Sequence, residues 1–255
     1  MPPWNTPWNL WNTPWNVPWN SPWNKPWSAP WRAAELREAT RRTLQYNALA
    51  ALLGLPGVVA SLTVLPGWRG ASLALAPGLA LSVALNRRPG GRFVRNLTLF
   101  GLVAGFVELA ADAWLVEGTG TLHYPPGEPR LWDSPIYMPI AWFGMIAAGL
   151  SLMIGLSRWL SRPLTSLACA TALALYIPLY EAIAAYAGWW RYTGTPSFAG
   201  IVPHSILLGE WLLALPLVRA AELLVSASTA RAIGLGVAQG LWIGISYYLA
   251  FQLVG

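Results

Sequence analysis

The chain has 255 residues, of which 55% are hydrophobic and only 10% are charged. Soluble domains carry about 25% charged residues, so this composition excludes an ordinary soluble domain and indicates a multi-pass membrane protein. The net charge of +6 comes from basic residues scattered between apolar segments. They form no basic patch, so no nucleic-acid partner is predicted. A single cysteine, Cys169, excludes a disulfide framework and a CxxC metal site.

Residues 1–31 form a low-complexity repeat that begins with PWNTPWNLWNTPWN after Met1 and Pro2. A proline precedes nearly every tryptophan, and repeated proline removes helical hydrogen-bond donors. The repeat is therefore predicted to be disordered or interfacial. Two origins remain open, an interfacial anchor or the in-frame expansion of a short DNA repeat. Residues 32–45 follow as a short amphipathic helix in the cytosol, and residues 46–255 form the transmembrane domain.

Seven apolar segments of the remaining chain approach the ~20 residues that cross a bilayer as a helix. The predicted spans are 46–66, 70–86, 96–116, 136–156, 164–187, 204–218 and 232–254. The second and sixth spans are the least regular, since they are short and contain Pro77 and Pro216. The predicted fold class is therefore all-α, an integral membrane bundle of about seven transmembrane helices.

The basic residues predict how this bundle is oriented. Thirteen of the 16 lysines and arginines fall on one side of the predicted spans, and the other side keeps Arg69, Arg130 and Arg191. By the positive-inside rule, the N-terminus is cytoplasmic and the C-terminus is outside the cell membrane. The only lysine is Lys25, in the repeat, which excludes a retinal Schiff base inside the bundle. No nucleotide-binding or hydrolase motif is present, and no cofactor is predicted.

Four carboxylates interrupt three of the predicted spans: Glu108, Asp112, Glu181 and Glu210. Glu108 and Asp112 are one turn apart, on the same face of the third span. Counting along the helices places Glu108, Glu181 and Glu210 about 10–12 Å below the outer ends of their spans. A carboxylate facing lipid is costly, so all four are expected to face one polar pocket. Like charges this close cannot all be ionised, which leaves a protonated carboxyl as a potential general acid.

Two outer loops, 117–135 and 188–204, are predicted to roof this pocket. The candidate substrate-binding residues are Trp142, Tyr176, Tyr180, Trp189, Trp190, Arg191 and His204. In the alternative interpretation, the acids form only interhelical hydrogen bonds and the aromatic residues form an interfacial belt. A metal site of His204, Glu181 and Glu210 has no HExxH motif or close histidine pair behind it, so no metal is predicted.

The stretch from Glu108 to Trp211 carries several short motifs in a fixed order. The motifs are Glu108, TGTLHYP (119–125), SPIYMPIAWF (134–143), Glu181, GWWRYTG (188–194), GIVP (200–203) and GEW (209–211). This order resembles a family of membrane-bound carotenoid-biosynthesis proteins that includes bisanhydrobacterioruberin-type carotenoid hydratases. That family's Asp-Pro and Asn-Phe pairs are replaced here by Tyr180-Glu181 and HSILL. The resemblance implies a pocket that handles an isoprenoid chain. The chain is also similar to an uncharacterised bacterial membrane family with the pattern ADAWLV…YPPG…PLYE…GWWRY.

Three classes of function remain open. The first is an enzyme that protonates a double bond of a carotenoid or other isoprenoid lipid, for hydration or cyclisation. Glu108 or Glu181 would be the acid, with Asp112 and Glu210 as its partners. The second is a cation- or proton-coupled transporter that uses the same carboxylates. The third is a non-catalytic subunit that binds pigment or lipid. For the enzyme and for the non-catalytic subunit, the expected partner is a membrane lipid or a polyene or isoprenoid substrate.

Overall fold

Apolar segments separated by short loops form a bundle of α-helices. The computed structural model describes residues 33–87, 92–157 and 159–255. The helices are α1 (Ala33–Thr63), α2 (Trp68–Asn86), α3 (Arg92–Ala113), α4 (Met138–Leu156), α5 (Arg162–Tyr186), α6 (His204–Ala214), α7 (Leu217–Val225) and α8 (Thr229–Val254). A π-helical turn, Trp114–Gly118, continues the end of α3. The predicted all-helical membrane bundle is confirmed.

Within the described residues, six helical stretches are long and apolar enough to cross a membrane. They are Thr43–Thr63, Trp68–Asn86, Arg92–Gly118, Met138–Leu156, Arg162–Tyr186 and Thr229–Val254. The chain is therefore a multi-pass membrane protein. Six of the seven predicted spans correspond to these stretches. The predicted sixth span, 204–218, does not form one continuous helix.

The chain of the predicted sixth span breaks at Pro216, between α6 and α7. Proline has no N–H, so the carbonyl of Leu212, four residues earlier, loses its helical partner. The indole Nε1 of Trp242 donates to this carbonyl at 3.1 Å. The amide Nε2 of Gln239 donates to the next carbonyl, that of Leu213, at 3.0 Å. Side chains from α8 therefore satisfy the backbone groups that the break exposes.

Helices α6 and α7 together still cross the bundle. Near the start of α3, the side-chain amide of Asn96 donates to the carbonyls of Leu224 and Ala227, at 3.0 and 2.9 Å. The C-terminal end of α7 therefore lies beside the N-terminal end of α3. The N-terminal end of α6 lies at the other end of the bundle, where the His204 N–H donates to the carbonyl of Pro196. The segment 204–225 thus makes the seventh crossing.

The N-terminal helix α1 extends further back than the first predicted span. Residues 33–45, expected to form a separate short helix, continue without a break into the membrane-spanning part of α1. The sequence between Ala33 and Tyr46 contains no glycine or proline that would end a helix. The repeat at residues 1–31 lies outside the described residues, so its predicted disordered or interfacial character stays a prediction.

Helices α3 and α8 pack closely because glycines face the contact. A Cβ atom at Gly240 would lie 2.5 Å from the Cβ of Val107. A Cβ atom at Gly236 would lie 2.8 Å from the carbonyl oxygen of Phe100, a residue that is fully buried. Small residues allow membrane helices to approach at such contacts. This packing fixes how α3, which carries Glu108 and Asp112, is rotated about its axis.

Two loops, 119–137 and 188–203, meet at one end of the bundle, which we call the loop end. They contain six short strands: β1 (Leu122–His123), β2 (Arg130–Leu131), β3 (Ser134–Pro135), β4 (Arg191–Tyr192), β5 (Ser197–Phe198) and β6 (Val202–Pro203). Strands β1 and β4 pair antiparallel and join the two loops, while β2–β3 and β5–β6 are antiparallel pairs within each loop. We call the other end of the bundle the opposite end.

Candidate functional site

A small cavity, the carboxylate chamber, lies between the helices below the loop end. Its volume is about 40 Å³, which is room for a few water molecules at most. Three carboxylates line it from three different helices: Asp112 from α3, Glu181 from α5 and Glu210 from α6. None of the residues that line the chamber is basic. The structure therefore gathers negative groups here without a cation beside them in the chamber wall.

Asp112 is held from the loop side of the chamber. Its Oδ2 atom accepts hydrogen bonds from the hydroxyl of Tyr124 at 2.5 Å and from the hydroxyl of Ser134 at 2.8 Å. Both donors come from the loop 119–137, and all three side chains are buried. The π-helical turn that follows α3 leads the chain directly from Asp112 into this loop. π-Helical turns inside helices occur frequently at functional sites.

The other two carboxylates of the chamber are each held by one aromatic side chain. Glu181 Oε2 accepts a hydrogen bond from the indole Nε1 of Trp190 at 2.7 Å. Glu210 Oε1 accepts one from the hydroxyl of Tyr247 at 2.8 Å. Each carboxylate thus has one oxygen fixed by a named donor. Because these donors are neutral groups, they orient the carboxylates without cancelling their charge.

Glu108 lies behind the chamber, one turn from Asp112 on α3. Its side chain is fully buried, and neither of its oxygens has a hydrogen-bond partner within the described residues. It interacts electrostatically with Asp112 and Glu210, and the indole of Trp142 is a polar neighbour. The structure thus brings together all four acids that the sequence singles out. Three of them line the chamber, and Glu108 stands behind its wall.

Tyr192, from strand β4, completes the chamber from the loop side. Burial is the main cause that raises the pKa of Tyr192 well above its ordinary value, and the surrounding carboxylates, Glu181 first, raise it further. The phenol therefore remains a neutral hydrogen-bond donor at physiological pH.

Sequence reasoning did not select four hydroxyl residues as site residues: Tyr124, Ser134, Tyr192 and Tyr247. A signal was present for two of them, because Tyr124 and Tyr192 lie inside the quoted motifs TGTLHYP and GWWRYTG. The pairing of β1 with β4, which places Tyr192 opposite Leu122, cannot be seen in the sequence because each of these strands has only two residues. Tyr247 lies in α8, far in sequence from these motifs, and the structure gives it the hydrogen bond to Glu210.

The predicted substrate-binding residues fall into two groups. Trp142 and Trp190 line the chamber, Tyr176 and Trp189 line a separate groove, and Tyr180 lines both. The second group lies elsewhere. Arg191 is exposed and belongs to strand β4, at the loop end. His204 is exposed at the start of α6 and lines neither the chamber nor the groove.

The groove is an apolar cavity of about 510 Å³ between α1, α2, α4 and α5. Its wall includes exposed side chains such as Leu55, at 56% exposure, and Tyr176, at 44%. These residues lie on membrane-spanning helices, so the groove opens sideways toward the hydrocarbon. Three residues line both the groove and the chamber: Ala141, Met145 and Tyr180. We call them the shared wall.

Within the part of the chain that the structure describes, no group of three or more His, Cys, Asp or Glu side chains is placed to hold a metal ion. Cys169, the single cysteine, is buried in the apolar core. The three carboxylates line the chamber but form no metal-ligand set among the described residues.

The bundle, the chamber and the groove define the class of this molecule: a polytopic membrane protein with an acidic site next to an apolar groove. The chain belongs to the DUF6989 family, described as a domain of unknown function, whose model matches residues 109–254. No curated protein and no solved structure matches the chain. The matched range contains Asp112, Glu181 and Glu210 and begins one residue after Glu108.

Proposed function

We propose that this chain is a membrane enzyme that protonates a carbon–carbon double bond of a carotenoid or other isoprenoid lipid, for hydration or cyclisation. The observation that carries the proposal is the shared wall between an acidic chamber and an apolar groove. Four buried carboxylates with no basic residue in the chamber wall keep at least one proton among them. A protonated carboxyl in a nearly dry site is the acid that double-bond protonation needs.

The groove is the proposed place for the isoprenoid chain. Its volume of about 510 Å³ lies within the range of about 300–1,000 Å³ that is usual for ligand sites. The chamber, at about 40 Å³, has room for water but not for an isoprenoid. The isoprenoid therefore lies in the groove, with one of its double bonds at the shared wall. The hydroxyl of Tyr180 is buried there without a hydrogen-bond partner among the described residues, so it is free to contact the substrate.

Glu181 is the proposed acid because it lines the chamber and follows Tyr180 directly in α5. Trp190 holds Oε2, which leaves Oε1 to carry the proton. That proton moves to one carbon of the double bond, the π electrons form the new C–H bond, and the other carbon becomes a cation. In hydration, water then adds to the cation and returns a proton to Glu181. In cyclisation, a second double bond attacks the cation, and a carbon-bound proton is lost to Glu181.

Aromatic rings around the chamber support a cationic intermediate. The rings of Trp142 and Tyr247 pack edge to face with centroids 6.2 Å apart. Tyr180 and Trp190 lie at the other side, with centroids 5.7 Å apart. The π face of an aromatic ring attracts a cation, and the effect is larger where water is excluded. A carboxylate placed nearby adds to the stabilisation as charge develops.

A cation- or proton-coupled transporter is the second candidate, because α6 and α7 form a broken helix. Broken helices carry ion sites in many transporters, where unwound carbonyls coordinate the ion. Here the carbonyls of Leu212 and Leu213 already accept hydrogen bonds from Trp242 and Gln239. These carbonyls are therefore occupied, and the enzyme accounts better for the acids beside the groove.

The test starts from the lipids that co-purify with the protein, followed by turnover in nanodiscs with lycopene as the first probe. In deuterated water, the product should carry carbon-bound deuterium. The substitution Glu181→Gln keeps the size of the side chain and its bond to Trp190 but removes the transferable proton. We expect it to lower the rate about 10²- to 10⁴-fold while helical circular dichroism is unchanged. The matched control is Glu117→Gln, an exposed acid outside the chamber, which should keep the rate.

Other outcomes discriminate between the three classes of function. A polyene that co-purifies but is never converted would favour a pigment- or lipid-binding subunit. Proton or cation flux in proteoliposomes that is lost in Glu181→Gln would favour the transporter. Equal turnover in Glu181→Gln and Glu117→Gln would end the proposal that Glu181 is the acid.

A further inference from the structure

A third cavity, the loop cavity, lies at the loop end outside the carboxylate chamber. It has a volume of about 330 Å³ and sits between the β1–β4 pair and the C-terminal end of α5. Two basic side chains line it, those of His123 and Arg191. Pro125 and Pro126 form part of its wall, and proline rings fix the backbone there. The cavity is thus a preformed pocket with basic groups on one side.

The register of β1 and β4 places the two basic groups together. His123 is directly opposite Arg191 in this antiparallel pair, and directly opposite side chains lie on the same face of the strands. A guanidinium and an imidazole side by side on one face offer N–H groups that a single oxyanion can accept together. Within the described residues, the exposed guanidinium of Arg191 has no ion-pair partner. The ring of His123 is oriented by its Nε2 contact with Thr193 Oγ1 at 2.6 Å.

The nearby carboxylates are turned away from this cavity. Tyr124 and Trp190 line both the chamber and the loop cavity, and they donate their hydrogen bonds to Asp112 and Glu181 on the chamber side. None of the residues that line the loop cavity is acidic. The two aromatic side chains therefore separate an acidic chamber from a basic cavity. An anion in the loop cavity would meet Arg191 and His123 before any carboxylate.

We propose that the loop cavity binds a phosphate-type oxyanion, held by the guanidinium of Arg191 and the imidazole of His123. The planar fork of an arginine matches two oxygens of a phosphate group and gives charge-assisted hydrogen bonds. The volume lies at the small end of the usual range for ligand sites, about 300–1,000 Å³. It fits a phosphate-bearing lipid headgroup or a small free phosphate. Binding here does not depend on the reaction proposed for the chamber.

The test measures two probes on the full-length protein. Inorganic phosphate is titrated by calorimetry against the protein in a neutral detergent. Phosphatidic acid is measured by native mass spectrometry, with diacylglycerol, which lacks the phosphate, as the reference. We expect Arg191→Gln to weaken binding about tenfold to a hundredfold. The matched control is Arg69→Gln, which removes an exposed arginine of the loop end that stacks on Trp68 and does not line the cavity.

The outcomes decide both the site and the source of the anion. Loss of inorganic phosphate binding in Arg191→Gln, but not in Arg69→Gln, supports a site for a free anion. The same loss with phosphatidic acid alone supports a lipid headgroup site. Equal binding in both variants, or no binding of either probe to the wild type, overturns the proposal. Two milder variants keep the test valid if Arg191→Gln fails to fold. Arg191→Lys keeps the charge but loses the planar guanidinium, and His123→Gln removes the imidazole. Each should partly weaken binding of the phosphate probe.

Discussion

Buried acids occur at both ends of the bundle, but their surroundings differ. At the opposite end, Glu222 in α7 is 5% exposed and forms ion pairs with Arg162 of α5 and with Arg219, the latter at 2.5 Å. Near the loop end, Glu108 is fully buried, and neither of its oxygens has a hydrogen-bond partner in the described part of the chain. The same residue type is thus neutralised in one region and left without a cation in the other.

The difference separates a structural acid from acids that serve another purpose. Glu222 joins α5 to α7 through its ion pair with Arg162, so it contributes to the packing of the broken helix. A buried carboxylate without a partner costs stability, because it loses its hydration and gains no ion pair. A chain that keeps four buried carboxylates near one cavity, none of them in an ion pair among the described residues, retains them at this cost. That is the pattern expected of a functional intramembrane site.

The largest difference in stability is expected between two glutamine variants, one at Glu222 and one at Glu108. Glu222→Gln removes two ion pairs and should lower the free energy of unfolding by about 1 kcal/mol. The effect stays this small because the partner arginine side chains are 52% and 65% exposed. Glu108→Gln keeps the size of the side chain and removes an acid that can ionise only at a cost here, so it should leave stability unchanged or higher. Unfolding in one detergent, followed by circular dichroism, measures both variants.

The same two variants can also contradict the distinction between a structural and a functional acid. A larger loss of stability in Glu108→Gln than in Glu222→Gln would mean that Glu108 is part of a structural network. The distinction between the two ends of the bundle would then fail. Glu117→Gln, at an exposed position, provides the baseline for a change of charge alone.

Hydropathy alone predicted most of the bundle, because bilayer thickness sets the length of each span. It could not predict the division at Pro216, since a proline is tolerated in a membrane helix when other groups satisfy the freed carbonyls. Those groups are Trp242 and Gln239, which are far away in sequence and lie on α8. These hydrogen bonds to the freed carbonyls are tertiary contacts, and no local sequence pattern around Pro216 predicts them.

Helical counting brought the four acids to a common depth, but it could not give the rotation of each helix. Whether Glu108 lines the chamber or lies behind it depends on how α3 turns, which the contacts at Gly236 and Gly240 fix. The arrangement of the two loops over the chamber was harder still to predict. Tyr192 lines the chamber only because β4 pairs with β1, a contact between loops that are distant in sequence. Periodicity carries no signal for strands of two residues.

A smaller effect, the pH dependence of stability that Glu128 causes, further distinguishes the loop end from the opposite end. Glu128 lies in the loop 119–137, and both of its oxygens are buried without partners among the described residues. Burial raises the pKa of Glu128 to about 7, against a lowering influence from Arg130. The folded protein therefore keeps this proton up to about pH 7, whereas the unfolded chain releases it near its ordinary value of 4.5. Stability from this group is present at low pH and falls as the pH rises between these values.

The substitution Glu128→Gln should remove this contribution to the pH dependence. We expect the free energy of unfolding to fall less between about pH 5 and pH 8 in the variant than in the wild type. The difference should stay below about 1 kcal/mol, because the nearby charge of Arg130 offsets part of the cost of ionising the buried group. Unfolding measured at several pH values tests this, with Glu117→Gln as the control. Identical slopes in the wild type and Glu128→Gln would contradict a buried, titrating Glu128.

The smallest expected effect concerns orientation, since the substitutions that test it should leave stability unchanged. The split of basic residues, 13 against 3, predicts that the loop end faces outside. Pro196→Cys, exposed at the loop end, should react with a membrane-impermeant maleimide on intact cells, and Ala230→Cys, exposed at the opposite end, should not. The native Cys169 is buried, so it adds little background. Labelling of Ala230→Cys alone would invert the topology. The loop cavity would then meet cytoplasmic anions, and protons would reach the chamber from the cytoplasm.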